Sequence, residues 1–146
     1  MARQYAQGKF TLKNPEKYMG NRTPTYRSTW EFSAMKLFDE HPAIEKWASE
    51  AVKIPYKNPF TGKYTIYVPD FLVVYRDKNT TQHVELIEVK PANQTFKEKV
   101  GRSKSNQAHW MLNQVKWEAA KAYCKSKGIT FRVINENDIY HVGPKR

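Results

Sequence analysis

Four side chains in this sequence combine residue types and spacings that could carry out chemistry together: Glu31, Asp70, Glu88 and Lys90. Asp70 interrupts the stretch from Tyr64 to Tyr75, which is otherwise rich in β-branched and aromatic residues. Side chains alternate across a strand, so Asp70 is expected on one face with Ile66, Val68, Leu72 and Val74. In the stretch from His83 to Lys90, the same parity groups Val84, Leu86, Glu88 and Lys90. A buried carboxylate needs a cation, a proton or hydrogen-bond donors. Lys90 can neutralise only one of the two.

Glu31 offers a third carboxylate. On a helical wheel it falls between Phe38 and Met35, inside the apolar arc of Trp30, Ala34, Met35, Leu37 and Phe38, whereas Asp39 and Glu40 fall outside. Ser28-Thr29-Trp30-Glu31 also matches a capping box, in which Glu31 reaches back to the Ser28 amide. The pattern supports cap and inward ligand equally, and the two are partly compatible. Two or three carboxylates beside a lysine suit a hard cation such as Mg²⁺ or Mn²⁺. Such a cation activates water and offsets phosphate charge, and Lys90 would orient the attacking water or stabilise the developing charge, which makes phosphodiester hydrolysis the natural reaction. The competing structural reading is a buried Asp70 and Lys90 ion pair, with Glu88 at a solvated strand end.

These residues need a scaffold. Residues 1–27 read as a basic arm, with Pro15, Gly20 and Pro24 opposing regular structure. A helix is expected from Ser28 to about Glu40, and a second short one from Pro42 to about Ala51. A strand near 53–57 is followed by the turn Asn58-Pro59-Phe60-Thr61-Gly62-Lys63 and then by Tyr64 to Tyr75 as the central strand. A turn at 77–81 and a returning strand to Lys90 complete a hairpin. The long helix spans Ser105 to about Ser126 and stops at Gly128, and Ile129, Phe131 and Val133 alternate as a last strand. The result is an α/β domain over residues 28–146 with a central mixed sheet flanked by helices, in the order helix, three strands, helix, strand. On the long helix, Ala108, Met111, Leu112, Val115, Ala119, Ala122 and Tyr123 form the expected core stripe. Trp110 and Trp117 lie opposite, where cover by the N-terminal arm ranks ahead of a protein partner or stacking on DNA.

The chain has 146 residues and a formal net charge of +11, with 40% hydrophobic and 14% aromatic residues. That suits one self-folding domain. The charge is uneven. Residues 1–27 hold six basic side chains against Glu16, and residues 91–107 hold four against Glu98. Phosphate neutralisation by such segments supplies non-specific nucleic-acid affinity, although basic tails also serve solubility. Lys97, Lys99, Arg102 and Lys104 follow Lys90 directly and form the expected DNA clamp, with Arg27 as a further phosphate contact. One cysteine, Cys124, and four scattered histidines do not make a zinc site of usual spacing. No Walker, dinucleotide or Gly-x-Ser-x-Gly loop is present, so neither a nucleotide cofactor nor serine hydrolase chemistry is expected. The absence of a long apolar run predicts a soluble, intracellular protein with no membrane partner.

Pro69-Asp70, then Glu88-Val89-Lys90 ending the next strand, with Glu31 on a preceding helix, resembles the PD-(D/E)XK nuclease superfamily over residues 28 to about 135. Asn14-Pro15-Glu16-Lys17-Tyr18, Thr23-Pro24-Thr25-Tyr26-Arg27-Ser28, Trp47-Ala48-Ser49-Glu50 and Ile54-Pro55-Tyr56 are similar to the head-completion nucleases of large contractile-tailed phages. The endonuclease subunit of heteromeric transposases is a more distant likeness. The resemblance implies a restriction-endonuclease-like domain that cuts double-stranded DNA with Mg²⁺, or with Mn²⁺ in its place. It implies metal binding by Glu31, Asp70, Glu88 and the Val89 carbonyl, with Lys90 as the catalytic lysine. It also implies action on packaged DNA ends or at the portal during head maturation, in the cytoplasm of an infected bacterium or in the virion, with portal and head-completion proteins as partners. A homodimer is one way for a single site to cut both strands. The alternative is a non-catalytic DNA-end or portal-binding virion protein that keeps the fold.

Overall fold

A computed structural model describes residues 7–91, 103–135 and 137–138. In chain order these form β1 (Gly8–Lys9), a 3-10 turn (Pro15–Lys17), β2 (Thr25–Tyr26), α1 (Thr29–Glu40), β3 (Ile44–Ser49), β4 (Ile54–Lys57), β5 (Tyr64–Tyr67), β6 (Phe71–Arg76), β7 (Gln82–Val89), α2 (Lys104–Lys127) and β8 (Thr130–Ile134). The main sheet has the order β3-β6-β7-β8. Its first two pairings are antiparallel, whereas β7 and β8 are parallel across the α2 connection. Among the described residues no helix is long and apolar enough to cross a membrane.

Alternation along the strands gives the sheet two apolar faces. Phe71, Val73, Tyr75, Ile87 and Val89 join Ala34, Met35 and Phe38 of α1 in one core. Leu86 joins Trp117, Ala120 and Cys124 of α2 in the other, together with Ile54, Tyr56 and Tyr67. This is the expected α/β class, a mixed sheet between two helices. Ser28 caps α1 by accepting from the Glu31 N–H at 3.0 Å, and Gly128 ends α2 in the left-handed conformation at φ 71°.

Four expectations are corrected. Residues 44–49 form β3 rather than a helix, because Trp47, Ala48 and Ser49 pair with Val73, Leu72 and Phe71 and complete the sheet edge over α1. Tyr64 to Tyr75 is two strands. Tyr67 pairs with Ile54 in a separate two-stranded ribbon, Phe71 pairs with Ser49 in the main sheet, and buried Pro69 lies between them without an amide to donate. The shared face of Ile66 through Val74 is therefore broken at Asp70. On α2 the expected stripe holds for Leu112, Val115, Ala119 and Tyr123, which pack against the core. The buried line, however, is Trp117, Ala120 and Cys124 while Met111 and Ala122 are exposed, so Trp117 is a core residue packed with Leu86 and the ribbon rather than covered by the arm.

The fourth correction concerns the N-terminal segment, which packs onto the domain from residue 7 onward and includes two short strands. Phe10 is buried against Trp47 and Phe32, β1 pairs with β2, and the Met19 N–H donates to the Trp47 carbonyl at 2.9 Å. Its anchor is Asp39, fully buried despite falling outside the apolar arc. The Asp39 carboxylate accepts the Lys13 and Asn14 N–H groups at 2.9 and 3.2 Å, and its carbonyl accepts from Asn14 Nδ2 and Lys17 Nζ.

Candidate active site

The step from Tyr67 to Pro69 carries the chain from the ribbon into the main sheet and leaves Asp70 at the entrance of β6, beside the end of β7. The Val89 N–H donates to Asp70 Oδ2 at 2.8 Å, and the Asp70 carbonyl accepts from the Glu50 N–H at 2.9 Å. Asp70 is thus held by backbone on both sides. Glu50 adopts φ 52°, a left-handed conformation that costs a non-glycine residue about 1–3 kcal/mol. That strain sits directly against Asp70.

Glu88 is buried, at 6% exposure. Its Oε1 accepts from the Tyr67 hydroxyl at 2.9 Å, and its Oε2 lies 3.6 Å from Lys90 Nζ. The ion pair that forms is therefore Glu88 with Lys90, and the alternative of an Asp70 and Lys90 pair with a solvated Glu88 is not what the chain adopts. Desolvation is the largest influence on both carboxyls and raises both. The Glu88 charge pushes Asp70 well above the usual aspartate range, and Glu31 pushes it further, against the Val89 amide and Lys90. For Glu88 the opposing influences are Lys90, Tyr67 and Lys116. Burial and the adjacent Glu88 hold the Tyr67 hydroxyl protonated far beyond its ordinary value, which keeps it a donor.

Glu31 combines the two roles that the sequence left open. Its N–H completes the cap with Ser28, while its Oε1 accepts from the Arg27 N–H at 3.0 Å, one residue earlier than the expected Ser28 amide. It is half-buried; burial raises its pKa, against Arg27 and Lys90. Glu31, Asp70, Glu88 and Lys90 therefore share one electrostatic neighbourhood. Among the described residues no three His, Cys, Asp or Glu side chains close on one point as a metal cage. The donor chemistry still fits a hard divalent cation: two neighbouring desolvated carboxylates share one nearby lysine, and the Val89 amide engages only one Asp70 oxygen. The Val89 backbone is at the site through that amide.

The expected DNA contacts fare differently. Arg27 is ion-paired with Glu50, and its charge also acts on Glu31, so it buttresses the acidic cluster. Lys104 is exposed on the first turn of α2. Lys97, Lys99 and Arg102 lie outside the described residues.

Two participants were missed in the sequence. Tyr67 was assigned to the central strand, and only the break at Pro69 reveals that its hydroxyl meets Glu88. Lys116 lies on α2, with Nζ 5.9 and 5.6 Å from the ring centroids of Tyr56 and Tyr67. Burial and the charge of Lys90 lower its pKa, against Glu88. A signal existed: Lys116 is four residues from both Leu112 and Ala120, so a correctly rotated wheel places it beside the buried line.

Comparison with known proteins gives two matches. A model of the TnsA-like endonuclease N-terminal domain matches residues 41–136, which include Asp70, Glu88, Lys90 and Lys116. The head completion nuclease of Enterobacteria phage T4 is 34% identical over 149 residues, covering 94% of this chain and 96% of that protein.

Proposed function

The chain belongs to the TnsA-like endonuclease family, and from that premise we propose that it is a Mg²⁺-dependent DNA endonuclease acting in phage head completion. The observation that carries this reading is the junction of Asp70, Glu88 and Lys90. Desolvation makes both carboxylates costly to ionise, and the charge of Glu88 adds to the cost at Asp70. They nevertheless lie side by side, one held by the Val89 amide and the other 3.6 Å from Lys90. A fold gains no stability from such an arrangement. A hydrolase of phosphodiesters gains its ligand set from it.

In this reading Asp70 and Glu88 hold the cation, with Glu31 and the Val89 carbonyl completing the set. Bound Mg²⁺ or Mn²⁺ supplies a water of lowered pKa and offsets charge on the scissile phosphate. Tyr67 fixes the rotamer of Glu88 through Oε1 and leaves Oε2 facing Lys90. Lys90 orients the attacking water or stabilises the negative charge that develops on the phosphate. Lys116 adds a second positive charge behind Tyr67. The Glu50 N–H and the Val89 N–H keep Asp70 in place as the substrate enters. Head completion as the setting follows from the name of the relative, and DNA ends as substrate with portal or neighbouring head proteins as partners extend that setting.

Purified protein incubated with supercoiled plasmid in Mg²⁺, Mn²⁺ or EDTA tests the reading. Nicking is expected with either metal, absent in EDTA, and reduced by about 10²–10³-fold in Lys90→Ala. Equal DNA binding without metal-dependent nicking in the wild type would transfer the protein to a structural role at the DNA end.

A further inference from the structure

The ribbon of β4 and β5 carries an outer face with no counterpart in the site described above. Ile54, Tyr56 and Tyr67 point inward and pack with α2, while Pro55, Lys57, Tyr64 and Ile66 are exposed. Pro55 lies opposite Ile66 and Lys57 opposite Tyr64, so the four form one continuous outer surface. Three of the six large exposed apolar side chains among the described residues are on this ribbon: Phe60 at 56%, Tyr64 at 76% and Ile66 at 52%.

Isolated exposed apolar residues need no explanation, but these occur with charge of a single sign. Between Val52 and Val68 the sequence contains Lys53, Lys57 and Lys63 and no acidic residue. All three lysines are exposed, and among the described residues none forms a salt bridge. The tip is shaped by its own backbone: Asn58 N–H donates to the Lys63 carbonyl and Gly62 N–H to the Asn58 carbonyl, both at 2.8 Å, with Gly62 at φ 73°. This holds Phe60 and Lys63 outward on a rigid turn. A two-stranded ribbon is an element that a major groove about 12 Å wide admits.

We propose that this outer face of the ribbon is the duplex-DNA contact that delivers the substrate to the site, with Lys57 and Lys63 on phosphates and Tyr64, Phe60 and Ile66 against sugars or base edges. The proposal deepens the nuclease reading and rests on it. Its second support is continuity. Ile66 is next to Tyr67, whose hydroxyl reaches Glu88, and Asp70 follows three residues later. DNA along the outer face therefore meets the segment that carries Tyr67 on its inner side and leads through Val68 and Pro69 to Asp70.

Fluorescence anisotropy of the full chain with a duplex of about two helical turns in Ca²⁺, at several salt concentrations, tests this alongside plasmid cleavage in Mg²⁺. The Lys57→Ala/Lys63→Ala protein is expected to flatten the slope of log K against log salt by about 1.8, or about 0.9 for each phosphate no longer neutralised. Its KM should rise while kcat stays within about twofold. Lys57→Arg/Lys63→Arg should restore the slope, and Lys78→Ala, at the far tip of the β6–β7 hairpin, should leave it unchanged. Phe60→Ala/Tyr64→Ala should weaken binding about tenfold at an unaltered slope. Wild-type cleavage with unchanged slope and affinity in both double variants overturns the ribbon proposal alone. Loss of self-association in Phe60→Ala/Tyr64→Ala, with intact DNA binding, also overturns it and makes the face a protein interface. A wild type that neither binds nor cuts DNA overturns the nuclease reading as well.

Discussion

Replacing Asp70 with Asn removes one charge from the carboxylate pair while retaining the side-chain shape and an oxygen able to accept from the Val89 N–H, which donates to Asp70 at 2.8 Å. In the wild type, desolvation and the charges of Glu88 and Glu31 raise the Asp70 carboxyl well above its ordinary value near 3.8. The folded state therefore binds that proton more tightly than the unfolded chain. Stability falls as pH rises from the ordinary value through the raised one, and above the raised value the penalty is fully present. An asparagine in its place does not titrate, so Asp70→Asn should melt above the wild type in EDTA at neutral to alkaline pH. The gain should shrink on acidification and vanish below about pH 3.8. A divalent cation should act in the opposite sense. At about ten times its Kd it adds RT ln 11, about 1.4 kcal/mol, to the wild type, or about 5 °C in Tm for a domain of this size. In the Asn variant, Glu88 and Lys90 already balance, and the shift should fall below about 1 °C. Scanning calorimetry of both proteins across pH, with EDTA or excess Mg²⁺, Mn²⁺ or Ca²⁺, measures the two effects separately. An Asn variant less stable than the wild type in EDTA, with an equal cation-induced shift in both, would refute the assignment of this pair as the cation site.

Two further outcomes follow from residues outside that pair. Asp39→Ala should cost about 3 kcal/mol in urea unfolding, because it leaves two part-buried amides of the N-terminal segment without their carboxylate acceptor; a change below about 0.5 kcal/mol would mean that Phe10, the β1–β2 pairing and the backbone bonds hold the segment without that carboxylate. Lys116→Ala should lower kcat about tenfold with little change in KM, and Lys116→Arg should recover most of it, since the charge behind Tyr67 and Glu88 is retained; wild-type kcat in the Ala variant would make Lys116 a packing residue for the two tyrosines.

What the sequence disclosed was whatever depended on near neighbours. The Ser28 cap, the Gly128 stop, the 77–81 turn and the parity that unites Glu88 with Lys90 are local patterns, and each is found in place. The errors come from partners distant in sequence. Ile44 to Ser49 looks amphipathic behind Pro42, a good first-turn residue, yet β6 offers a paired edge and the segment becomes β3. Asp39 carries no sign of burial in its own helix, since the amides that bury it belong to Lys13 and Asn14. On α2, the expected stripe is right at Leu112, Val115, Ala119 and Tyr123, which pack against the core, but its centre is rotated toward Trp117, Ala120 and Cys124, because the ribbon tyrosines and Leu86 that receive that line are distant in sequence.

The same reasoning explains why Pro69 and Asp70 are adjacent. A chain that ran straight from Tyr64 to Tyr75 would seat position 70 in a ladder, with both backbone groups committed to neighbouring strands. Buried Pro69 has no N–H for such a ladder, so it fits the step at which the chain leaves the ribbon and joins β3. That step frees the Asp70 carbonyl for Glu50 and turns its carboxylate onto the Val89 N–H. The position of Asp70 is consequently fixed by three strands at once, with the ribbon on its N-terminal side. If the ribbon is the duplex contact, the segment that meets DNA also carries Tyr67, whose hydroxyl holds Glu88, and leads through Val68 and Pro69 to Asp70, so that substrate is received on a site whose carboxylates the same segment has already positioned.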